Sequence, residues 1–482
     1  MRRRILLVAA AGTALAVLVL TRGSHPGAPV KLRAPRVAVT GWPSDDVVAQ
    51  ASATDWKSQS GRIHLRFSWL RCDYYGKHCV PLAGLRTRRI VPPQLLHIVS
   101  IRAVVTAHTA GGSTSSVSRN YVYDEAGRAR AGETDLYPPL YDPAQLRHWY
   151  GLTSTEDGTD QTIVVTTLWR SPGLRLAVDR FSARYGLPLV CGTKNAGHNC
   201  FELDVEKLGP GNGAGAVEDQ DIEWIHAIAP QAKIVVLRSL YPPDLAAAIR
   251  DQQFHGVHVV SASWGLRGSR LAQRRVIHDF YAVDRACNHV NVVCTFSSGD
   301  AGSPGDAPSN GTHVLAVGGT VFGSHRDGTP DVQAYWTSGG FGVTRYPLPR
   351  PAWQRTVPCQ PGECAYRAVP DVSATAADVL EYEVPPGTPH DSQAGWFEGG
   401  GTSLASPLWA ALIALADQQL QLAGQPAIGI DELHAVLYRG WLSPGLDDLG
   451  HRGWSLATGW GAPKAGIVDV LVRAVERYRK SG

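Results

Sequence analysis

Chemistry is most plainly on offer in the stretch Gly399-Gly400-Gly401-Thr402-Ser403-Leu404-Ala405-Ser406-Pro407. Consecutive glycines let a backbone turn sharply and pass close to a bound chain. Pro407 is tolerated in the first turn of a helix, and the apolar run Leu408-Trp409-Ala410-Ala411-Leu412 gives that helix a buried face. Ser403 therefore falls where a loop enters a buried helix, near its positive end, where an oxyanion or a developing alkoxide is favoured. The plain alternative is a helix N-cap. A second group of interest is Glu218-Asp219-Gln220-Asp221, at the start of a helical pattern that runs to Pro230. Glu218 and Asp221 are three residues apart and share a helix face. A carboxylate base, unlike His, remains usable at acid pH, since Glu ionises near ~4.3. These acids would equally well complement the helix dipole. Asp300, between Gly299 and Gly302, suits a turn.

The stretch around Ser403 resembles the Gly-Thr-Ser-x-x-x-Pro nucleophile motif of subtilisin-like and sedolisin peptidases. The Asp-[Ser/Thr]-Gly and His-Gly-Thr-His contexts of a subtilisin are absent. Gly311-Thr312-His313 is only a fragment of the latter, and His313 reads as a surface strand residue. Tyr141-Asp-Pro-Ala-Gln-Leu-Arg147 with Tyr150-Gly151-Leu152 resembles the opening of a sedolisin (serine-carboxyl peptidase) domain. Ser261-Ala-Ser-Trp-Gly265 is similar to that family's substrate-binding strand, Ser297-Ser-Gly-Asp300-Ala-Gly302 to its oxyanion motif. Ser338-Gly-Gly-Phe-Gly342 and Arg367-Ala-Val-Pro-Asp-Val-Ser-Ala374 match further blocks, in the family's order, over about Leu136 to Lys464.

The resemblance implies a subtilisin-like fold and hydrolysis of protein or peptide substrates, with Ser403 as nucleophile and Ser263, Trp264 and Gly265 along the substrate. It implies that Asp300 stabilises the oxyanion. An ionised Asp accepts only, so Asp300 must be kept protonated by burial, by neighbouring carboxylates or by acid pH. An acid-favouring endopeptidase follows. In the family a Glu base and its orienting Asp lie four residues apart on one helix. Aligning Asp221-Ile222 through Ala229-Pro230 puts Asp221 at the orienting position and Val217 at the base; Glu218 is one place late, about 100° around the helix. A shifted helix start would let Glu218 act as base. Otherwise the chain is a catalytically impaired pseudo-peptidase serving as an extracellular binding protein. At the C-terminal end, Gly453-Trp-Ser455 through Thr458-Gly459 resembles the family's calcium loop with Ser455 in place of its Asp. The expectation is a degraded calcium site and no cofactor needed for chemistry.

The elements that must position these residues are strands alternating with helices. Thr162–Thr167, Lys233–Leu237, His258–Ala262 and Asn291–Phe296 are short β-branched runs bracketed by helical or Gly-rich segments. Such a pattern predicts an α/β fold: a mostly parallel sheet with helices on both faces. Before it, residues 44–123 carry short alternating runs broken by turns, which predicts a small β-sandwich. Trp69-Leu-Arg71-Cys72-Asp73, Gly76, Cys79 and Arg102–Ala107 resemble Ig-like modules of exported actinobacterial proteins. Residues 124–135 read as a linker and 136–482 as the peptidase domain.

Composition agrees with an exported globular protein. The chain has 482 residues, 44% of them apolar, and a net charge of only +4, which gives nucleic-acid binding no support. Arg2-Arg3-Arg4 before the apolar run Ile5 to Leu20 predicts a signal within residues 1–28, either cleaved or kept as a membrane anchor. The expected location is therefore extracellular, secreted or held on the outer face of the membrane. Eight cysteines fall into the close pairs Cys72/Cys79, Cys191/Cys200, Cys287/Cys294 and Cys359/Cys364. Local disulfides are expected for three of them; Cys294, in an apolar run, could be a buried thiol.

Overall fold

In Thr162-Ile-Val-Val-Thr-Thr167 successive side chains belong to opposite faces of one sheet, as a strand's period of two requires. The computed structural model describes residues 30–31, 37–40, 48–51, 56–59, 61–72, 79–81, 86–90, 100–118, 121–122 and 141–481, the last span without 172, 194–199, 209–212, 215–216, 255, 267–269, 289–290, 303–306, 325–329, 345–347, 360–361 and 385–394. The chain divides into two compact units, Met1–Gly132 and Glu133–Gly482.

In the first unit β1 (His64–Cys72) pairs antiparallel with β2 (Ser100–Thr109), which also pairs with β3 (Gly112–Val117). Trp69, Ala103, Val105 and Ala107 are buried, the alternation that suggested strands. The predicted β-sandwich, and with it the Ig-like module, is not shown. The described strands form one five-stranded sheet with separate three- and two-stranded pieces.

The second unit opens with α1 (Pro143–Tyr150), started by a reciprocal capping box of Asp142 and Gln145 with Pro143 at the first position. Its strands are β4 (Thr162–Thr167), β5 (Leu203–Lys207), β6 (Lys233–Arg238), β7 (Val259–Ala262), β8 (Val293–Ser297), β9 (Leu315–Ser324), β10 (Pro330–Tyr335) and β11 (Val372–Thr375). They form one sheet in the order β5-β6-β4-β7-β8-β9-β10, with β11 also on β9. All pairs are parallel except β9 with β10. Parallel strands need crossovers, which α2 (Leu174–Tyr185), α3 (Val217–Ile228), α4 (Pro242–Phe254) and α5 (Arg270–Ala286) supply. After the last strand of this sheet come α6 (Thr402–Leu422), α7 (Ile430–Tyr438) and α8 (Ile467–Ser481). Ile163, Val165, Ile234, Val236, Val259 and Leu315 pack with α2, α3, α6 and α8 on one face. Val164, Val235, Leu237, Val260, Cys294 and Phe296 pack with α4 and α5 on the other. The predicted parallel sheet with helices on both faces is thus the fold. A hairpin of β12 (Val379–Glu383) and β13 (Gly395–Gly399) leads straight into α6.

Cys191–Cys200, Cys287–Cys294 and Cys359–Cys364 are disulfides, so Cys294 is buried but not a thiol. Cys79 is also disulfide-bonded; the side chain of Cys72 lies outside the described residues. His313 sits in the bend before β9 rather than in a strand, and its Nδ1 meets Asp284 Oδ2 at 3.1 Å. The expectation of membrane anchoring, with its place on the outer membrane face, requires correction. Among the described residues no helix is long and apolar enough to cross a membrane. Even α6, with its long apolar run, carries the buried Asp417 and is enclosed by core. The run Ile5 to Leu20, on which the anchor and signal rested, lies outside the described residues.

Candidate active site

Five residues, Gly399 to Ser403, carry the chain from β13 into α6, and each is held. Gly401 has φ +85°, a backbone that L side chains rarely adopt, and is the N-cap of α6. It has no side chain to cap with, so the cap comes from another loop. Asp300 Oδ1 accepts from both the backbone N–H and the hydroxyl of Thr402, each at 2.7 Å. The Thr402 hydroxyl in turn accepts from the Gly299 N–H at 3.1 Å. The Ser-Gly-Asp loop after β8 and the nucleophile turn are thereby stitched together. A further stitch explains the glycine-rich block after β10. Ser298 Oγ donates to the Gly340 carbonyl at 2.7 Å, and a Cβ on Gly340 would lie 2.1 Å from the Ser298 carbonyl.

Ser403 follows in the first turn of α6, half-buried. Its hydroxyl makes no hydrogen bond among the described residues. Its carbonyl would normally accept from the N–H four residues on, but that residue is Pro407, which has none. Ser263, at the C-terminal end of β7, supplies the missing donor: its Oγ lies 3.0 Å from the Ser403 carbonyl and 2.8 Å from Asp221 Oδ1. One serine hydroxyl thus links the Ser403 backbone to the acidic helix.

That helix, α3, is buried on all sides, and Glu218, Asp219, Asp221 and Glu223 are each at most 1% exposed. Buried carboxyls need partners or protons. Glu218 is taken by Arg238 at the end of β6, whose Nε donates to Oε1 at 2.8 Å while Nη2 approaches the same oxygen; the Ser171 N–H adds a bond at 3.2 Å. Burial pushes the Glu218 carboxyl up, opposed by Arg238. Burial raises Asp221 well above the usual carboxylate range, against its Ser263 bond and helped by Glu218. Glu223 Oε2 accepts from the Tyr382 N–H at 3.0 Å, and burial pushes its carboxyl well up too. Between the acids, Gln220 bonds both backbone groups of Gly400, accepting at 2.7 Å and donating at 3.0 Å.

Of the residues expected from sequence, Ser403, Asp300, Asp221 and Ser263 come together at the C-terminal ends of β7 and β8, where open parallel sheets bind ligands. Glu218 does not join them through any hydrogen bond to Ser403; its carboxylate is on Arg238. Asp300 is exposed. Trp264 turns its indole into the core: Nε1 donates to the Thr166 carbonyl at 2.9 Å, and the ring meets Phe280 and Phe296 edge-on. Gly265 is exposed. Sequence reasoning missed Gln220, Arg238 and Thr402. Thr402 was within reach as the hydroxyl neighbour of Ser403; the other two carry no local signal.

A glycine-rich turn that brings a serine to the positive end of a helix buried against a parallel sheet is the arrangement of a subtilisin-like domain. Comparison with known proteins agrees: the model of the subtilase family matches residues 211–461, just over half of the chain. The chain belongs to the subtilase family. It is 28% identical over 382 residues to kumamolisin of Bacillus sp. (strain MN-32), covering 70% of this chain. It spans 64% of the length of that curated relative. Among solved structures it is similar to the sedolisin (serine-carboxyl proteinase) of Pseudomonas in complex with pseudo-iodotyrostatin. The match has a TM-score of 0.53 and 19% identity, over 72% of this chain and all of the other. That likeness bears on the fold alone.

Proposed function

We propose that this chain is an acid-favouring serine-carboxyl endopeptidase of the sedolisin type, acting on protein or peptide substrates. The observation that carries the reading is the half-buried Ser403 in a turn held by two carboxyls, Asp300 capping the turn at Thr402 and Asp221 linked to the Ser403 carbonyl through the Ser263 hydroxyl. Ser403 Oγ attacks the scissile carbonyl carbon, and the hydroxyl proton passes to a carboxylate. Its ionised fraction supplying the acceptor, Asp221 is the carboxyl we assign to this role, because Ser263 links it to the Ser403 backbone whereas Glu218 is on Arg238. Glu218, paired with Arg238, then acts beside it by raising the proton affinity of Asp221 when ionised. This exchanges the two roles expected from the alignment. Asp300 spends Oδ1 on Thr402, which leaves Oδ2 to donate to the oxyanion when protonated. The exposed backbone at Gly265 suits an extended substrate lying along the end of β7.

No metal takes part in this reading. Where the family's calcium loop has an Asp, the Ser455 hydroxyl bonds the Thr458 hydroxyl at 2.8 Å, and Asp447 and Asp448 spend their carboxylates on N–H groups of their own turn. Such a donor set does not fit a calcium ion, which takes six or more oxygens.

A second reading, a catalytically impaired binding protein, is favoured by the Glu218–Arg238 pair. Labelling with a fluorophosphonate or peptide aldehyde, alongside hydrolysis of peptides at pH 3 to 7, separates the two. The peptidase reading expects Ser403-dependent labelling and turnover, both abolished in a folded Ser403→Ala. Turnover that survives that substitution, or an alkaline optimum, would contradict it.

A further inference from the structure

We propose that Gln220 is a positioning residue for the reaction: its amide, bonded to both backbone groups of Gly400, fixes the nucleophile turn on the helix that carries Asp221. The inference rests on the peptidase reading above. A turn of three glycines has the largest backbone freedom available to a chain, so it presents Ser403 reproducibly only if held from outside. It is held from three sides. Asp300 takes the Thr402 N–H, and the Ala376 carbonyl takes the Gly401 N–H at 2.8 Å. The third hold is Gln220, 4% exposed, which receives the Gly400 N–H at 2.7 Å and gives a hydrogen to the Gly400 carbonyl at 3.0 Å.

Only the third hold belongs to α3. Gln220 and Asp221 are adjacent in sequence, so the amide ties Ser403 to the same turn of helix from which the carboxyl reaches Ser263. Two bonds, one to each of the peptide units that flank the Gly400 Cα, also fix the orientation of that residue, which one bond does not. The glycine at 399 serves the same clamp. Its φ is not among the positive ones, yet a Cβ there would stand 2.7 Å from Gln220 Oε1, 3.2 Å from Val379 Cγ2 and 3.3 Å from Glu381 Cδ. The turn lies against α3 because position 399 has no side chain. The chemistry of the clamp selects an amide: it donates and accepts at once and stays neutral at every pH. The ionised form of any of its acidic neighbours Glu218, Asp219, Asp221 and Glu223 could accept but not donate.

Two substitutions test the clamp. Gln220→Met keeps length and apolar volume but removes both bonds. It is expected to lower kcat about 10- to 100-fold with KM changed less than about twofold, because a small misplacement of the reacting groups is felt in the chemical step. Amide hydrogen exchange at Gly400 should accelerate about tenfold. Gln220→Glu supplies the readout that a merely structural role would not move. A protonated carboxyl copies the amide, with one O–H to donate and one C=O to accept; an ionised one faces the Gly400 carbonyl with two acceptors. The ratio of Gln220→Glu activity to wild-type activity should therefore be near one at pH 3 to 4 and fall steadily as pH rises. Wild-type kcat and Gly400 exchange in Gln220→Met, or a ratio that is flat with pH in Gln220→Glu, would overturn the proposal. An active wild type with unchanged exchange in Gln220→Met removes the clamp alone, whereas a wild type without Ser403-dependent turnover removes the peptidase reading and the positioning role with it.

Discussion

At the scale of single residues, Asp300 shows how two demands can meet in one carboxyl. Oδ1 caps α6 through Thr402, and the capping bonds do not depend on whether Oδ2 carries a proton. Asparagine reproduces this division: its carbonyl oxygen can cap while its amide donates at any pH. Asp300→Asn is therefore expected to fold normally and to flatten the decline of kcat/KM as pH rises. Asp300→Ala should lose both the cap and the donor, with a fall of roughly 10²–10³ in kcat, the usual cost of an oxyanion donor. Rate profiles from pH 3 to 8 for the three proteins check this. A steeper decline in Asp300→Asn than in the wild type would count against Asp300 as an oxyanion donor. Ser263 repeats the theme. Its hydroxyl stands in for the N–H that Pro407 lacks, so Ser263→Ala leaves the Ser403 carbonyl without its donor and Asp221 without its hydroxyl partner.

At the scale of elements, α3 is the organising part. Through Trp224 Nε1 on the Leu380 carbonyl and Glu223 on the Tyr382 N–H it holds β12; through Gln220 it holds the end of the partner strand β13. Through Glu218 it holds Arg238 at the end of β6. Breaking one member of a buried ion pair strands the other. Arg238→Ala is expected to cost about 3–5 kcal/mol at neutral pH, and less at acid pH where Glu218 can take a proton. Urea unfolding at pH 4.5 and pH 7 measures this. A loss that is equal at both would mean that Glu218 does not titrate in response.

At the scale of the whole molecule, the buried acids make stability itself depend on pH. Burial raises Asp219, Asp221, Glu223 and Glu381 well above the ordinary carboxylate range; Arg238 is the cation that meets Glu218 beside them. The folded state thus binds more protons than the unfolded chain between the ordinary carboxylate range and the raised values. Stability present at acid pH is then lost as pH rises through that window. Tm should fall from about pH 4.5 towards neutral, the reverse of a protein whose carboxylates are salt-bridged. Glu223→Gln and Glu381→Gln should each flatten the fall, gaining roughly 1–2 kcal/mol at pH 7. A Tm that climbs towards neutral pH would show that the cluster is ionised in the fold.

How much of this was legible beforehand follows from how local each signal is. The parallel sheet was, because its strands announce themselves as unbroken β-branched runs, and so was the glycine turn before Ser403, because positive φ and close approach demand glycine at particular places. The pairing Cys287–Cys294 was left open because an apolar run suits a thiol or a disulfide equally. The β-sandwich is not shown, since alternation marks a strand but not the second sheet it would have to face. The sequence alone determined where a reactive serine could stand: backbone constraints at Gly401, Ser403 and Pro407 act within a single turn of chain. Only the tertiary structure decided which donor each nearby carboxyl meets. Glu218 and Asp221 share a helix face, and nothing within twenty residues on one side of them distinguishes their fates. Arg238 and Ser263, brought in from the ends of two different strands, divide them, because in a buried site a carboxyl belongs to whichever donor the fold places beside it.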